Sequence, residues 1–407
     1  MIGVQTELLS PVLSVVIPAY NEEDGIENII RRVLAVKPAL NQAGVTDLEL
    51  IVVDDGSRDR TTEIVSSCAG VRLVSHGTNK GYGAALKTGF QAATGELLAF
   101  LDADGTYPPE FFPELCKAAI HGGDLVVGSR RSGASSEMPL VRQAGNLIWS
   151  SLVSLIGGRR VADPASGMRV FRREVLECLY PLPDGLNFTP VMSTRAVHEG
   201  VRVVEVPIPY KERLGRSKLN VVSDGLRFLQ TILWTALNYN PVRILGAIGA
   251  VLVGFGLLIA LALVGLRLTG VTTLGPWGVA GTFTAVVLGI AGVDLFSLGI
   301  TFNYLVSLFH KRPVRQGLFG RPLLKTPLEQ HFWWMGLLAG AAGLALGVGS
   351  FVLALNGWPV VRLWLYLLAG TMLMLVGMQL FTFWVVVKVL EELSKREASI
   401  RSDLGTV

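Results

Sequence analysis

Four long apolar segments follow residue 240, and they constrain the fold more than any other feature of the sequence. The first, residues 244–266, is uncharged and is bounded by Arg243 and Arg267. The other three cover residues 277–308, 332–361 and 363–387. A helix needs about 20 apolar residues to cross a bilayer, so each segment is long enough to be a membrane span. The sequence therefore predicts an α-helical transmembrane domain with four spans over residues 241–390.

The distribution of basic residues predicts the orientation of these spans. The loops after the first and third spans hold little more than Arg267 and Arg362. The loop after the second span carries five basic residues, namely Lys311, Arg312, Arg315, Arg321 and Lys325. Basic residues accumulate on the cytoplasmic side, so residues 1–240 and a tail at 391–407 are expected there. The start of the chain shows no signal-peptide pattern, which also predicts that the first domain stays in the cytoplasm. With its four spans, we expect a multi-pass protein of the cell membrane.

One acidic residue interrupts the second span. Asp294 lies where a charge costs about 2.5–3.5 kcal/mol on insertion scales. Two interpretations stay open: Asp294 contacts a lipid headgroup or another subunit, or the span is shifted so that Asp294 lies near an interface. The small-residue run at 336–350 would let helices pack closely. A homo-oligomer is therefore one hypothesis for the use of the four spans.

The first half of the chain alternates short aliphatic runs with amphipathic segments. The runs predict strands at residues 14–18, 48–53, 71–74, 97–101 and 125–128. The segments between them predict helices at 25–36, 60–68, 84–93 and 109–119. Such alternation is typical of a mostly parallel sheet covered on both faces. Sheets of this kind bind ligands beyond the carboxyl ends of their strands.

Acidic turns follow three of the predicted strands: PAYNEE (18–23), DDGS (54–57) and DADG (102–105). Turns favour Asp, Asn and Gly in any protein, but three acidic turns at successive strand ends predict a ligand site. Asp102 and Asp104 offer hard oxygen ligands on one turn, which suits Mg²⁺ or Mn²⁺ completed by substrate phosphates. A metal bound to a diphosphate acts as a Lewis acid, so the predicted chemistry is departure of a nucleoside diphosphate.

Other nucleotide-binding classes fit poorly. The segment NKGYG (79–83) contains Gly-x-Gly, but Leu86 stands where a dinucleotide fingerprint needs its third glycine. The chain also lacks the phosphate-binding loop of the P-loop proteins. A net charge of +4 gives no reason to expect nucleic acid as a partner. The three cysteines lack metal-ligand spacing and are expected to be reduced, structural thiols.

PAYNEE, DDGSRDRT and DADG, together with VGSR (127–130), resemble the motifs of family 2 glycosyltransferases with the GT-A fold. Two more segments, DPASGMRVFRREVL (163–176) and GRSKLN (215–220), resemble the polyprenyl-phosphate glycosyltransferases, the group of dolichyl-phosphate mannose synthase. The resemblance implies an α/β GT-A catalytic domain with a Rossmann-like, mostly parallel sheet over residues 1–220. It also implies transfer of one hexose, with inversion, from a donor such as UDP-glucose or GDP-mannose to polyprenyl or dolichyl phosphate.

The same resemblance assigns candidate residues on the donor side. Those expected to line the nucleotide-sugar pocket are Pro18, Tyr20, Glu22, Asp54, Asp55 and Asp102. Asp104 is the expected main metal ligand, with Asp102 beside it. Thr106 stands where many relatives have Gln, which leaves the third ligand and the donor open. Asp163 would contact sugar hydroxyls or orient the acceptor, and a structural cap is the alternative.

The acceptor is a phosphate, so its candidate partners are basic or hydrogen-bonding: Arg130, Arg142, Asn146, Arg216, Ser217 and Lys218. Arginine suits a phosphate because its planar fork makes two contacts at once. For Arg142 and Arg216, contact with lipid headgroups is the alternative. A phosphate monoester has its second pKa near about 6, so the acceptor needs positioning rather than a strong general base.

Two amphipathic segments, 140–156 and 221–240, are predicted to lie at the membrane interface, with core helices as the alternative. Two alternative functions fit parts of this architecture. A processive polysaccharide synthase would normally carry Gln-x-x-Arg-Trp, which this chain lacks. A transporter with a sugar-binding domain would need more polar residues in its spans than Asp294.

Overall fold

The computed structural model describes residues 11–130, 140–157, 160–210, 221–271, 273, 275–310 and 328–404. These fall into two compact units, Met1–Thr235 and Ala236–Val407. Three predicted acceptor residues, Arg216, Ser217 and Lys218, lie outside the described residues. The five basic residues at 311–325 that oriented the spans also lie outside them.

The first unit contains a seven-stranded sheet. Its strands are β1 (Val12–Ala19), β2 (Asp47–Asp54), β3 (Val71–Ser75), β4 (Leu97–Leu101), β5 (Leu125–Ser129), β6 (Met168–Arg172) and β7 (Val203–Pro207). Their order across the sheet is β3-β2-β1-β4-β6-β5-β7. Only β6 is antiparallel to its neighbours. The five predicted strands are therefore confirmed, whereas β6 and β7 were missed.

Helices cover both faces of this sheet. The covering helices are α1 (Ile26–Ala35), α2 (Lys37–Gln42), α3 (Thr61–Ser67), α4 (Tyr82–Ala92), α5 (Phe112–Ile120), α7 (Val175–Leu179) and α8 (Phe188–Glu199). Two further helices are α6 (Leu140–Gly157), which packs on α8, and α9 (Val221–Tyr239), which follows β7 in the chain. Val15 and Ile17 of β1 pack with α1 and α5 in one core, and Val16 packs with α4 and α8 in the other. Burial on both faces explains why the strands are continuous apolar runs.

The strand directions bring the acidic turns to one edge of the sheet. Ala19 at the end of β1 pairs with Asp54 at the end of β2, and Val16 pairs with Phe100 of β4. β5 runs in the same direction, because β6 is antiparallel to both β4 and β5. The residues after β1, β2, β4 and β5, and those before β6, therefore share what we call the carboxyl edge.

The second unit consists of four long helices: α10 (Pro241–Leu268), α11 (Pro276–His310), α12 (Phe332–Leu355) and α13 (Val360–Leu404). Within the described residues, these are the four helices long and apolar enough to cross a membrane. α10 packs along α11, α12 packs along α13, and α11 also contacts α13. The predicted architecture, a mostly parallel α/β domain followed by four apolar helices, is confirmed. The predicted tail from residue 391 continues α13 as far as Leu404.

Candidate active site

The two acids after β4 are each oriented by a hydroxyl group. Asp104 Oδ1 accepts hydrogen bonds from the Thr106 amide at 3.1 Å and from the Thr106 hydroxyl at 2.6 Å. Asp102 Oδ1 accepts a hydrogen bond from the Tyr82 hydroxyl at 2.7 Å. Burial, and next the charge of Asp102, raise the pKa of Tyr82, so this phenol stays protonated as the donor. Thr106 is 3% exposed and engaged by Asp104, so it orients that carboxylate.

Gly167 lies against the Asp102 carboxylate. A Cβ built on Gly167 would lie 2.6 Å from Cγ of Asp102, which is closer than real Cβ atoms approach other atoms. The Gly167 amide donates a hydrogen bond to the Tyr107 hydroxyl at 2.7 Å, which fixes the backbone there. Tyr107 is itself buried. Asp102 therefore has Tyr82 on one oxygen and a glycine backbone beside it, and both constrain its position.

We expect Gly167→Ala to lower activity strongly while the protein stays folded. The new methyl group would displace Asp102, and overpacking of this kind costs about 1–3 kcal/mol of stability. Activity assays and thermal unfolding of the purified variant measure the two effects. Gly77→Ala is the matched control, because a Cβ there meets nothing within 4 Å. Equal activity of the two variants would show that Asp102 tolerates displacement.

The acids of DDGS are used to hold loops. Asp54 accepts hydrogen bonds from the Ser57 amide at 3.0 Å and the Thr62 hydroxyl at 2.6 Å. Asp55 contacts His76 Nδ1 at 2.7 Å and accepts from the amides of Lys80 and Gly81, both at 2.8 Å. Each of these two residues is 3% exposed. The role of Asp54 and Asp55 at a nucleotide pocket stays a prediction.

The PAYNEE turn is fastened to the segment that follows DDGS. The Asn21 amide donates to Ser57 Oγ at 3.0 Å, and the Glu22 amide donates to Thr61 Oγ1 at 2.9 Å. Asn21 has a φ of 50°, so the chain turns sharply after β1. Pro18 is buried inside β1, whereas Tyr20 and Glu22 are half-buried after it. The predicted pocket residues therefore share the carboxyl edge with Asp102 and Asp104.

Asp163 is fully buried and paired with Arg130. Its oxygens accept hydrogen bonds from Arg130 Nε and Nη2, both at 2.7 Å, and from the Arg130 amide at 3.0 Å. Asn146 Nδ2 of α6 donates to Oδ1 at 2.9 Å. Burial alone would raise the pKa of Asp163, but the charge of Arg130 and these hydrogen bonds lower it. We call these three residues the Asp163 cluster.

The Asp163 cluster changes how the predicted acceptor residues are interpreted. Two nitrogens of the Arg130 guanidinium hold Asp163, and the group lies 5.7 Å from the Tyr107 ring centroid and 5.5 Å from that of Tyr210. Asp163 is 0% exposed, which favours a positioning role over direct contact with sugar hydroxyls. Asn146 ties α6 to this edge. Arg142 lies on α6, but its side chain is outside the described set.

A second buried arginine lies at the start of β6. Arg169 is 0% exposed, and its guanidinium donates to the backbone oxygens of Ser166, Pro164 and Thr189 at 2.7–3.1 Å. Its Nη1 has no hydrogen-bond partner among the described residues. Burial lowers the pKa of Arg169 to about 10, so it is still a cation at neutral pH. A buried positive charge therefore lies beside the carboxyl edge, where it favours anions.

Sequence reasoning missed several residues at this edge: His76, Tyr82, Tyr107, Gly167, Arg169 and Tyr210. Tyr82 lies in the NKGYG segment, whose pattern indicated only an incomplete dinucleotide fingerprint. Gly167 and Arg169 were inside the DPASGMRVFRREVL segment. A glycine two residues before an arginine, in a segment already matched to a family, was a usable signal. The aromatic partners of Arg130 gave none, because their proximity depends on the tertiary fold.

The donor atoms at this edge fit a divalent ion that a substrate helps to bind. Within the described residues, no group of three or more His, Cys, Asp or Glu side chains could hold a metal ion alone. Two carboxylates on one turn suit Mg²⁺ or Mn²⁺ when phosphate oxygens and water supply the other ligands. Asp102 and Asp104 are the residues that would hold such an ion.

Helices α6 and α9 of the first unit expose large apolar side chains. On α6, Leu147 is 51% exposed and Ile148 is 60% exposed. On α9, Leu226 is 63% exposed and Trp234 is 61% exposed. The two helices touch through Trp149 and Phe228, whose ring centroids lie 6.5 Å apart. Exposed apolar groups on two contacting helices are typical of a surface that meets lipid.

Comparison with known proteins assigns the chain to a family. Residues 14–180 match the family described as glycosyl transferase family 2, and residues 241–401 match one described only as a domain of unknown function. An undecaprenyl-phosphate 4-deoxy-4-formamido-L-arabinose transferase of Aeromonas hydrophila is 30% identical over 335 residues, which cover 79% of this chain and 97% of that protein. The enzyme of the same name from Pectobacterium carotovorum is 33% identical over 73% of this chain and 89% of its own.

Among solved structures, glucosyl-3-phosphoglycerate synthase from Mycobacterium tuberculosis, crystallised with Mn²⁺, uridine diphosphate and phosphoglyceric acid, is 24% identical. It covers 56% of this chain and 78% of its own, with a TM-score of 0.46. The sequence matches carry the assignment, because they extend over nearly the whole length of the relatives. The chain belongs to glycosyl transferase family 2, has the GT-A type of α/β domain predicted from its motifs, and is a glycosyltransferase.

Proposed function

We propose that this protein transfers a single sugar from a nucleotide-diphosphate sugar to a polyprenyl phosphate at the membrane surface, with inversion and with Mg²⁺ or Mn²⁺. The observation that carries the proposal is the pair Asp102 and Asp104 at the end of buried strand β4. Each carboxylate is oriented by a neighbouring hydroxyl, and a diphosphate would complete the metal site. The relatives, which are named as undecaprenyl-phosphate sugar transferases, support the lipid acceptor.

In this proposal the site residues act mainly by positioning the metal ligands and the substrates. A bound metal would stabilise the charge that develops on the leaving nucleoside diphosphate. Tyr82 and Thr106 hold the two carboxylates in place, and Asp104 is the main ligand in this proposal. Pro18, Tyr20, Glu22, Asp54 and Asp55 form the nucleotide side. The acceptor phosphate is largely ionised at neutral pH, so no strong general base is required.

The Asp163 cluster links the acceptor side to the membrane. Asn146 lies on α6, a helix that exposes Leu147 and Ile148, and its amide reaches the carboxylate that holds Arg130. In this proposal α6 and α9 rest on the bilayer, and Arg130 and Arg142 remain candidate partners of the lipid phosphate. Arg216, Ser217 and Lys218 would complete the acceptor site. We propose that residues 1–220 form the catalytic domain, that residues 221–240 lie at the membrane interface and that residues 241–390 span the membrane. The catalytic domain and the tail at 391–407 would lie in the cytoplasm.

The donor sugar is proposed by class. A hexose donor such as UDP-glucose or GDP-mannose follows from the motifs, and a nucleotide-linked 4-deoxy-4-formamido-L-arabinose follows from the names of the relatives. Thr106 distinguishes this chain from relatives with Gln at that place, and its hydroxyl is engaged by Asp104. The donor pocket is therefore shaped by other residues at the carboxyl edge.

Membranes that contain the protein are expected to transfer label from one of these donors to an organic-extractable, acid-labile lipid phosphate. Chelation with EDTA is expected to abolish the transfer, and added Mn²⁺ or Mg²⁺ to restore it. The measurement is a screen of radiolabelled donors against short polyprenyl phosphates, with membranes lacking the protein as the control. Label in a polymer would indicate a polysaccharide synthase instead. Full transfer in EDTA would rule out the metal.

A further inference from the structure

The four membrane helices form two copies of one hairpin. In the first hairpin, a Cβ built on Gly249 would lie 2.5 Å from Gly292 O and 2.7 Å from Phe296 N. In the second, a Cβ built on Gly336 would lie 2.7 Å from Gly377 O and 3.0 Å from Phe381 N. The first helices are thus related by 87 residues and the second helices by 85. The same contact occurs at the same place in both hairpins.

Three more positions follow the same relation. In the first hairpin, Gly256 approaches Ala285 O and Gly289 N. In the second, Gly343 approaches Gly370 O and Met374 N. Gly343 follows Gly256 by 87 residues, and Gly370 and Met374 follow Ala285 and Gly289 by 85. The turns agree too, because Gly270 and Gly357 both have positive φ, 95° and 87°. The sequences GVDLFSL (292–298) and GMQLFTF (377–383) show the repeat directly. The membrane unit is therefore a tandem repeat of one helical hairpin.

The two hairpins contact each other through unequal faces. α11 contacts α13, and Gly289 of α11 lies against Met372 of α13. The α11 row that continues from Gly289 comprises Val293, Phe296, Ile300 and Tyr304, which belong to one apolar cluster with α13 residues. On α13 the same cluster contains the row Val376, Leu380, Phe383, Val387 and Leu390, with Trp384 beside it. Equivalent positions of α11 and α13 differ by 85 residues, so the α13 row corresponds to α11 positions 291, 295, 298, 302 and 305. These positions form a different row from the one that α11 uses in the contact. A contact between unequal faces of equivalent units leaves one face unused at each end.

The unused face of the second hairpin is exposed and apolar. The residues of α13 that correspond to the contact row of α11 are Met378, Phe381, Val385 and Val389, which are 63%, 41%, 43% and 55% exposed. We call them the α13 outer row. The unused row on α11 includes Phe302, 42% exposed, with Leu295 and Leu298 half-buried. Both faces are therefore the equivalents of rows that already meet once within the chain.

Asp294 lies at the edge of the unused row of α11. Its equivalent in the second hairpin is Gln379, which is one helical turn from Val376 and Phe383 in the contact row of α13. Gln379 Oε1 is buried without a hydrogen-bond partner among the described residues. In the contact already made, a polar residue therefore occupies the helix–helix boundary at this position. A second contact of the same kind would remove Asp294 from lipid, where a charge is costly.

We propose that the α13 outer row docks onto the unused row of α11 in a second copy of this chain, so that the contact between hairpins is repeated between chains. A head-to-tail contact forms a closed ring when the rotation between its units closes, and in this proposal two chains with four hairpins make that ring. The occupant is this chain itself, because the docking face repeats an interface already present between α11 and α13. The proposal is independent of the sugar, the lipid and the metal.

Disulfide cross-linking tests the register of this contact. Within the chain, a Cβ on Gly289 would touch Met372. The equivalent pair between chains is Met374 and Val287, which are 45% and 61% exposed. In membranes, Val287→Cys with Met374→Cys should give a covalent dimer after mild oxidation. Either single variant should not, and neither should the control pair Leu258→Cys with Met374→Cys, in which Leu258 is 64% exposed on α10.

The mass of the full-length protein in lipid nanodiscs gives a second test. We expect each assembly of the unmodified protein to contain more than one copy of the chain. Met378→Glu should reduce it to a single copy, whereas Leu258→Glu, at a position of nearly equal exposure, should leave the assembly intact. A single copy for the unmodified protein would overturn the proposal. So would cross-linking no greater than in the control pair, or a Met378→Glu variant that stays assembled.

Discussion

Replacing Asp104 with asparagine is expected to lower sugar transfer by at least about 10³-fold, since loss of metal stabilisation of the leaving group is worth several kcal/mol. Asparagine keeps the shape of the side chain and can still accept hydrogen bonds from the Thr106 amide and hydroxyl. It removes only the negative charge that a divalent ion requires. The expected change is therefore in metal-dependent donor binding and turnover, with little change in folding.

Two measurements separate this effect from a structural one: Mn²⁺-dependent binding of the nucleoside diphosphate by calorimetry, and thermal unfolding. The matched control is Asp59→Asn. Asp59 makes the same local turn, because its Oδ1 accepts from the Thr61 amide at 3.0 Å and from the Thr61 hydroxyl at 2.6 Å. The Asp59→Asn variant should retain most of the sugar-transfer activity. A fully active Asp104→Asn variant would refute the metal assignment.

Replacing Asp163 with asparagine is expected to destabilise the catalytic domain by about 3–5 kcal/mol, because it leaves the buried Arg130 charge without its partner. The Asp163 side chain is 0% exposed and that of Arg130 is 13% exposed. Equilibrium urea unfolding of the full-length protein measures the loss. The double variant Arg130→Met with Asp163→Leu removes both charges and should recover much of the stability. The double variant should still transfer sugar poorly to the lipid-phosphate acceptor.

An exposed pair of the same geometry is the control. Arg32 Nε and Nη2 donate to the two oxygens of Glu110 at 2.9 and 2.8 Å, and these side chains are 29% and 51% exposed. Glu110→Gln should cost less than about 1 kcal/mol, as exposed pairs usually do. If Asp163→Asn cost no more than Glu110→Gln, the Asp163 cluster would not be the structural link between α6 and the carboxyl edge.

The stabilisation from Asp163 should depend on pH in one direction. Its pKa is lowered in the folded protein, so the folded state favours the ionised carboxylate. The contribution is then fully present above the ordinary aspartate pKa of about 3.9 and is lost as the pH falls through the lower folded value. The difference in unfolding free energy between the unmodified protein and Asp163→Asn should be constant near neutrality. It should shrink only in strong acid.

The sequence predicted structure well where a short stretch of residues is enough to determine it, as in a buried strand, a membrane helix or an acidic turn. Apolar runs gave five strands and four long helices, because burial in a sheet or in lipid demands continuous apolar sequence. The acids after β4 were found for the same reason: the end of a buried parallel strand is where such sheets hold polar ligands. β6 and β7 were missed, since β6 contains Arg169 and Arg172, and charges inside a strand weaken its apolar pattern.

The two-part architecture, the family and the two metal-binding candidates could be predicted from the sequence, since each depends on residues close together in the chain. The roles of Asp163 and Arg130 became visible only in the folded domain. These two side chains are 33 residues apart, and they meet because antiparallel β6 is inserted beside β5. Their pairing, the glycine beside Asp102 and the unequal faces of the two hairpins depend on distances in space. A one-dimensional pattern carries no such distances.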